Sequence, residues 1–208
     1  MRKTLLALAL IIFLVGGFGF DPSPARAGEG PTAELKKAVD QVLAIIVDES
    51  ITGPGAMKKK LDKAWEVINL YFADEEMTRR VMAKYWKKRT AEEKKEIIHL
   101  FSELLRRSYL SRLELFEGQE LFYDKERIEG DIAKIDSHMQ YHGERIPLGY
   151  SLLKKDGKWM LYDMVIDGVS LIANYRRQFG KIIRKEGYKG LVKRLQTKLA
   201  EEEALENS

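Results

Sequence analysis

Cysteine is absent from the 208 residues, and only three histidines and five prolines are present. The missing thiols exclude a cysteine nucleophile, an iron–sulfur cluster, a zinc–thiolate centre and any disulfide. Stability therefore has to come from apolar burial. His99, His138 and His142 show no HExxH or other paired spacing, so a metal would lack convergent ligands. Each reads as an ordinary surface or boundary histidine, and neither a metal nor a cofactor is expected. No G-x-S-x-G elbow, P-loop or dinucleotide fingerprint occurs in the chain, which removes the commonest hydrolase and nucleotide chemistries. An excess of one charge is lacking too. The formal net charge is +4, and the first 27 residues hold three cations (Arg2, Lys3, Arg26) and one acid (Asp21), which leaves +2 for the remainder. That is too little for a nucleic-acid footprint.

What the chain does have begins with an apolar run from Leu5 to Phe20, preceded by Arg2 and Lys3 and followed by Asp21-Pro22-Ser23-Pro24 and Ala25-Arg26-Ala27. A basic start, an apolar stretch and an A-x-A site together read as a secretory signal cut after Ala27. As a membrane span the run is marginal against the ~20 apolar residues a bilayer needs, and glycines at 16, 17 and 19 weaken its helix. No cysteine follows it to take a lipid anchor. The expected organisation is a signal over 1–27, one domain over 28–200 and an acidic, frayed tail over 201–208, in a protein exported and free in solution.

Periodicity near 3.6 fills the N-terminal half. Leu35, Val39, Val42, Leu43, Ile46 and Val47 form one helix face; Met57, Leu61, Ala64, Trp65, Ile68 and Phe72 form a second. Asp74 reads as the N-cap of a short third helix. Thr90 and Glu93 make a capping box for a long helix carrying Ile97, Phe101, Leu104, Leu105, Tyr109, Leu113 and Phe116, with Gly118 as its terminator. The period then falls to two. Strands are expected over 119–127, over 132–141, around Ile146–Leu152 and over Trp159–Ile166, with turns at His142-Gly143 and Asp156-Gly157. The last strand is apolar on both faces and so should be covered on both. Two closing helices follow, one ending at Gly187 and one carrying Leu191, Val192, Leu195 and Leu199. Helices, a meander of about four antiparallel strands, then helices is an α+β layout.

Two acids stand out. Asp163 lies within the apolar strand and Asp167 at its end. A carboxylate beside an apolar pocket can serve as a base, which would make the protein an envelope enzyme with a cone-shaped site. The plainer reading is that Asp163 accepts neighbouring hydrogen bonds and that Asp167 shapes the turn with Gly168. Apolar stripes are abundant, but composition does not separate a filled core from a ligand cavity.

The segment from Trp159 reads Trp-Met-Leu-Tyr-Asp-Met-Val-Ile-Asp-Gly-Val-Ser-Leu-Ile-Ala-Asn-Tyr-Arg-Arg-Gln-Phe. It closely resembles the W-x-x-x-D-x-x-x-x-G-[VI]-S hallmark and following N-Y-R helix of the MlaC (toluene-tolerance) family of periplasmic phospholipid-binding proteins. Tyr85-Trp86, the Phe101-to-Tyr109 helix, Ile146-Pro147-Leu148-Gly149-Tyr150 and the segment from Gly187 to Leu195 are similar to further family features. The resemblance covers roughly residues 31–200. Tyr71-Phe72-Ala73 departs from it, since members often carry an aspartate between aromatics there.

The resemblance implies a twisted antiparallel sheet wrapped by helices, with acyl chains held between sheet and helices and no catalysis. It implies phospholipid exchange with an outer-membrane lipoprotein complex and with an inner-membrane ABC transporter bearing an MCE-domain subunit, in a monomer that keeps the outer-membrane lipids asymmetric. A hopanoid or other polycyclic lipid remains an alternative cargo. The residues it would bring to the lipid are Leu148, Tyr150, Trp159, Leu161 and Val165 from the sheet, Phe101, Leu105 and Tyr109 from the long helix, and Val169, Ile172 and Tyr175 after the sheet. Arg176 would meet a phosphate at the pocket mouth, or else pair with Asp163 or Asp167.

Overall fold

The 3.6-residue period of the N-terminal half is realised as four helices in the computed structural model, which describes residues 30–110, 113, 119–141 and 143–206. They are α1 (Pro31–Ile46), α2 (Ala56–Tyr71), α3 (Asp74–Met82) and α4 (Ala91–Tyr109), with a 3-10 turn over Ala83–Lys88 between the last two. The expected signal segment, Phe116, Gly118 and His142 lie outside the described residues. The capping box forms: Thr90 Oγ1 accepts from the Glu93 N–H at 3.2 Å, and Glu93 Oε2 accepts from the Thr90 N–H at 3.0 Å. Asp74 is not the cap of α3 but its first residue; Ala73 is the cap and offers no side-chain bond. The reason lies in the sheet, because the Ala73 N–H donates to the Leu161 carbonyl at 2.8 Å. Burial raises the pKa of Asp74 above its ordinary 3.8, against a hydrogen bond with Ser102 that lowers it.

The period-two half forms β1 (Glu120–Glu129), β2 (Ile132–Tyr141), β3 (Glu144–Lys155), β4 (Lys158–Ile166) and β5 (Val169–Ser170), paired in that order and all antiparallel. A fifth strand of two residues thus follows the four-strand meander read from the sequence. Asp156 and Gly157 both take positive φ, 50° and 83°, as a tight hairpin between right-twisted strands requires. Alternation holds through β2 and β3. Ile135, Ser137 and Met139 face inward with Ile146, Leu148, Tyr150 and Leu152, while Lys134, Asp136 and Gln140 face out.

In β4 the alternation breaks at a register shift beside Ser151 and Leu152. Trp159 and Leu161 point to the inner face, Tyr162 does not, and Met164 and Ile166 return to it. One extra residue has that effect, because the side-chain period is two. This explains a strand that reads as apolar on both faces. The closing segment, α5 (Leu171–Glu206), is two helical arms joined at a kink at Gly187 (φ 73°), the residue at which the first of the two expected helices was to end. It extends to Glu206, and Arg107 reaches Glu203 at 3.4 Å.

Apolar burial divides into two clusters. The first fills the space between the inner face of the sheet and the α1–α2 pair, and Leu110 and Leu113 beyond α4 belong to it. The second lies among α3, α4 and α5 and takes Tyr162 from β4. Ile132, Leu153 and Met160 form a row across the opposite face of the sheet and pack against it. The chain passes between the two at Phe72, which bridges Leu161 on the edge of β4. Trp65 and Phe72 touch both clusters and meet edge-to-face, ring centroids 6.3 Å apart. Glu34 of α1 accepts from the Trp159 N–H at 2.7 Å, and Thr32 donates to Glu126 of β1. These two bonds tie α1 to both sides of the sheet.

Candidate functional site

The described residues between the sheet and α1–α2 are mostly apolar, and among them stands a group of hydroxyls. Tyr123 on β1 pairs with Ser137 on β2, and Ile135, two residues away, pairs with Tyr150 on β3. Ser137 is buried and donates to the Leu148 carbonyl at 3.3 Å. Tyr150 is fully buried; burial pushes its phenol well above its ordinary range, and a hydrogen bond with Ser137 acts in the opposite sense. The Tyr123 hydroxyl is shielded from solvent and has no hydrogen-bond partner among the described residues. Burial raises its pKa, and the charge of Asp40 on α1 adds to the shift. A buried hydroxyl without a partner costs about 1–3 kcal/mol, so such groups are rare where nothing else is bound. The sequence reading missed Tyr123. Its inward direction was available from the pairing of alternate residues with Leu121, but a shift at Asp124 interrupts the pattern.

The residues expected at the site are divided by the fold. Leu148, Tyr150, Trp159 and Leu161 lie in the sheet-side interior. Phe101, Leu105, Ile172 and Tyr175 are buried in the helical cluster, with Tyr109 packed against it. The Tyr109 and Tyr175 hydroxyls are 3.4 Å apart, and Phe101 meets Tyr175 edge-to-face with centroids at 5.1 Å. Val165 does not face inward: it pairs with Gly149 on the outer face of the sheet, the consequence of the shift in β4. Val169 is 40% exposed on β5 and does not line the interior.

Arg176 pairs with neither acid. Its Nε donates to the Arg80 carbonyl at 2.7 Å. Asp163 is already engaged: Oδ2 accepts from Ser170 Oγ at 2.7 Å and Oδ1 from the Ile172 N–H at 3.0 Å. Ser170 Oγ in turn accepts from the Ala173 N–H at 3.0 Å. Asp163 therefore fastens the start of α5 to the sheet. Asp167 takes φ 47° beside Gly168 at 77° and shapes the turn between β4 and β5.

Among the described residues, two further concavities open to solvent can be placed. One of about 870 Å³ lies over the outer face of the sheet, with Gly149 in its floor and Asp136, His138, Arg145 and Asp163 in its lining. His138 meets Asp124 at 2.9 Å and stacks on Phe122, centroids 5.0 Å apart. Pro147, Leu148 and Val165 share the lining with these charged groups. The other, about 660 Å³, lies between the two arms of α5. Among the described residues no group of three or more His, Asp or Glu is placed to hold a metal ion. Among the same residues, no helix is long and apolar enough to cross a membrane.

A family model described as MlaC protein matches residues 36–197. Among curated proteins, the intermembrane phospholipid transport system binding protein MlaC of Haemophilus influenzae is 27% identical over 135 residues, 62% of this chain. The match spans 61% of that relative's own length. Among solved structures, the phospholipid-binding protein from Ralstonia solanacearum, in complex with a phospholipid, is 29% identical with a TM-score of 0.71. That match covers 86% of this chain and 99% of the other.

Proposed function

Since the chain belongs to the MlaC protein family, we propose that it is a carrier of phospholipid, with acyl chains held in the interior between the sheet and α1–α2. The observation that supports this most is the shared fold with a relative solved in complex with a phospholipid. The interior itself has the right character. Each methylene taken out of water gains about 0.8 kcal/mol, so a carrier needs apolar walls more than it needs polar contacts. Tyr123 is the exception, and its hydroxyl is available to donate to an ester or phosphate oxygen of the cargo. Asp163, the acid singled out as a base, has both oxygens occupied, which favours a carrier over an enzyme.

The carrier works in the periplasm after export. It exchanges lipid with an outer-membrane lipoprotein complex and an inner-membrane transporter bearing an MCE-domain subunit, and so serves outer-membrane lipid asymmetry. Native mass spectrometry of residues 28–208, followed by organic extraction, tests the cargo. Co-purified phospholipid with mixed headgroups and a fixed number of chains is expected. A polycyclic lipid would change the cargo, and protein that stays empty after incubation with vesicles would overturn the reading.

Replacing Tyr123 with phenylalanine separates cargo from packing. Lipid-free protein is expected to gain about 1 kcal/mol in urea unfolding, because an unpaired buried hydroxyl is removed. Lipid release to acceptor vesicles is expected to become several-fold faster. A stability loss with unchanged release would place that hydroxyl in the fold rather than on the cargo.

A further inference from the structure

The near-neutral net charge conceals a strong separation of charge. From residue 28 onward there are 33 Lys and Arg against 31 Asp and Glu. Residues 77–91 carry six cations and no acid, and residues 168–200 carry nine cations and one acid, Glu186. Those two stretches thus hold fifteen of the cations and one acid, leaving eighteen cations against thirty acids elsewhere. Even Glu186 is consumed locally, since Arg194 donates to both its oxygens at 2.6 and 2.7 Å.

The fold lays the two cationic stretches side by side. At one end the Arg176 Nε donates to the Arg80 carbonyl at 2.7 Å. At the other the Arg89 guanidinium lies over the Tyr188 ring, 4.5 Å from its centroid, and the Tyr188 hydroxyl donates to the Glu93 carbonyl at 2.8 Å. The 3-10 turn over Ala83–Lys88 is thereby held along the first arm of α5. Lys84, Lys87, Lys88, Arg177, Lys181 and Arg184 are all exposed. None of the six forms an ion pair among the described residues.

We infer that this face docks on an anionic phospholipid bilayer. Protein–protein interfaces are depleted in lysine at their centre and are built on aromatic or apolar anchors. Here the arrangement is reversed: among the described residues, the large exposed apolar side chains are Val47, Met57, Leu70, Phe122, Ile128 and Val169, and of these Val169 alone, at the start of the second stretch, falls within 77–91 or 168–200. Exposed lysines and arginines that form no ion pair and are spread over one face suit a diffuse negative surface, where each contributes additively and orients the molecule. The acid-rich remainder of the chain is repelled by the same surface, so docking has a defined orientation. The inference does not depend on what occupies the interior.

Vesicle co-sedimentation of residues 28–208 tests it. The protein is expected to bind phosphatidylcholine vesicles containing phosphatidylglycerol, to leave vesicles of phosphatidylcholine alone unbound, and to be released between about 50 and 300 mM salt. The quadruple variant K84Q, K87Q, K88Q and K181Q is expected to lose about tenfold or more in partitioning. A control with the same net charge, K36Q, K125Q, K155Q and K158Q, also replaces exposed lysines and is expected to change less than about threefold. Equal losses in the two variants would show that net charge alone governs binding and would overturn the docking face. Failure of the unaltered protein to bind the anionic vesicles would overturn it too, leaving an acidic protein surface as the partner to test.

Discussion

Replacing Leu148 with aspartate is expected to empty the carrier. Leu148 is buried on the inner face, between Ser137 on β2 and Ile166 on β4, so a carboxylate there would stand in the apolar space assigned to acyl chains. Held ionised it costs several kcal/mol of desolvation; neutralised, it still places a polar group against methylenes. Phosphate assayed after extraction should fall from stoichiometric to background. Leu148→Thr, a milder change, should lower it in part while circular dichroism remains that of the folded protein. Leu105 provides the contrast. It is 4% exposed in the helical cluster, and Leu105→Ala is expected to cost about 2–5 kcal/mol in unfolding free energy, the usual range for a truncated core leucine, with lipid content unchanged. The reverse result, an emptied Leu105→Ala and a loaded Leu148→Asp, would move the cargo to the helical cluster.

That contrast also marks where sequence reasoning reached its limit. Local signals carried well. The Thr90–Glu93 box, the Asp156-Gly157 hairpin and the alternation of β2 each depend on residues within a few positions of one another, and each is present in the structure. The W-x-x-x-D segment pointed to the family that the comparison assigns. What was not legible depends on distant partners. Tyr162 and Val165 sit where they do because one residue in β4 is out of register, and an apolar strand looks the same whichever face each side chain takes. Phe72 meeting Leu161 splits the apolar residues into two clusters, so a single stripe list merged two cores. Arg176 had two acids nearby in sequence, yet its partner is a carbonyl 96 positions away. The cationic face was hidden for a different reason, because a net charge reports a sum and discards its arrangement.

Asp163 links the motif to the mechanics of the fold, and Asp163→Ala is expected to lower the unfolding free energy by about 3 kcal/mol. Its two oxygens accept from the Ser170 hydroxyl and the Ile172 N–H, and hydrogen bonds to a charged group contribute about 1.5–3 kcal/mol each. The loss also frees Ser170, which accepts from the Ala173 N–H and so caps the first turn of α5. Helix α5 supplies Ile172, Tyr175, Phe179, Leu191 and Leu195 to the helical cluster, so a loosened start weakens the joint between sheet and helices. Asp163→Asn keeps an acceptor for the Ile172 N–H and should lose roughly half as much. Both variants, assayed below their melting temperatures, should retain normal lipid content. A catalytic base would behave otherwise: its removal would leave the melting curve almost unmoved and abolish a turnover. A melting curve for Asp163→Ala within about 0.5 kcal/mol of the unaltered protein, the range of an ordinary surface substitution, would therefore reopen the enzymatic reading of this carboxylate.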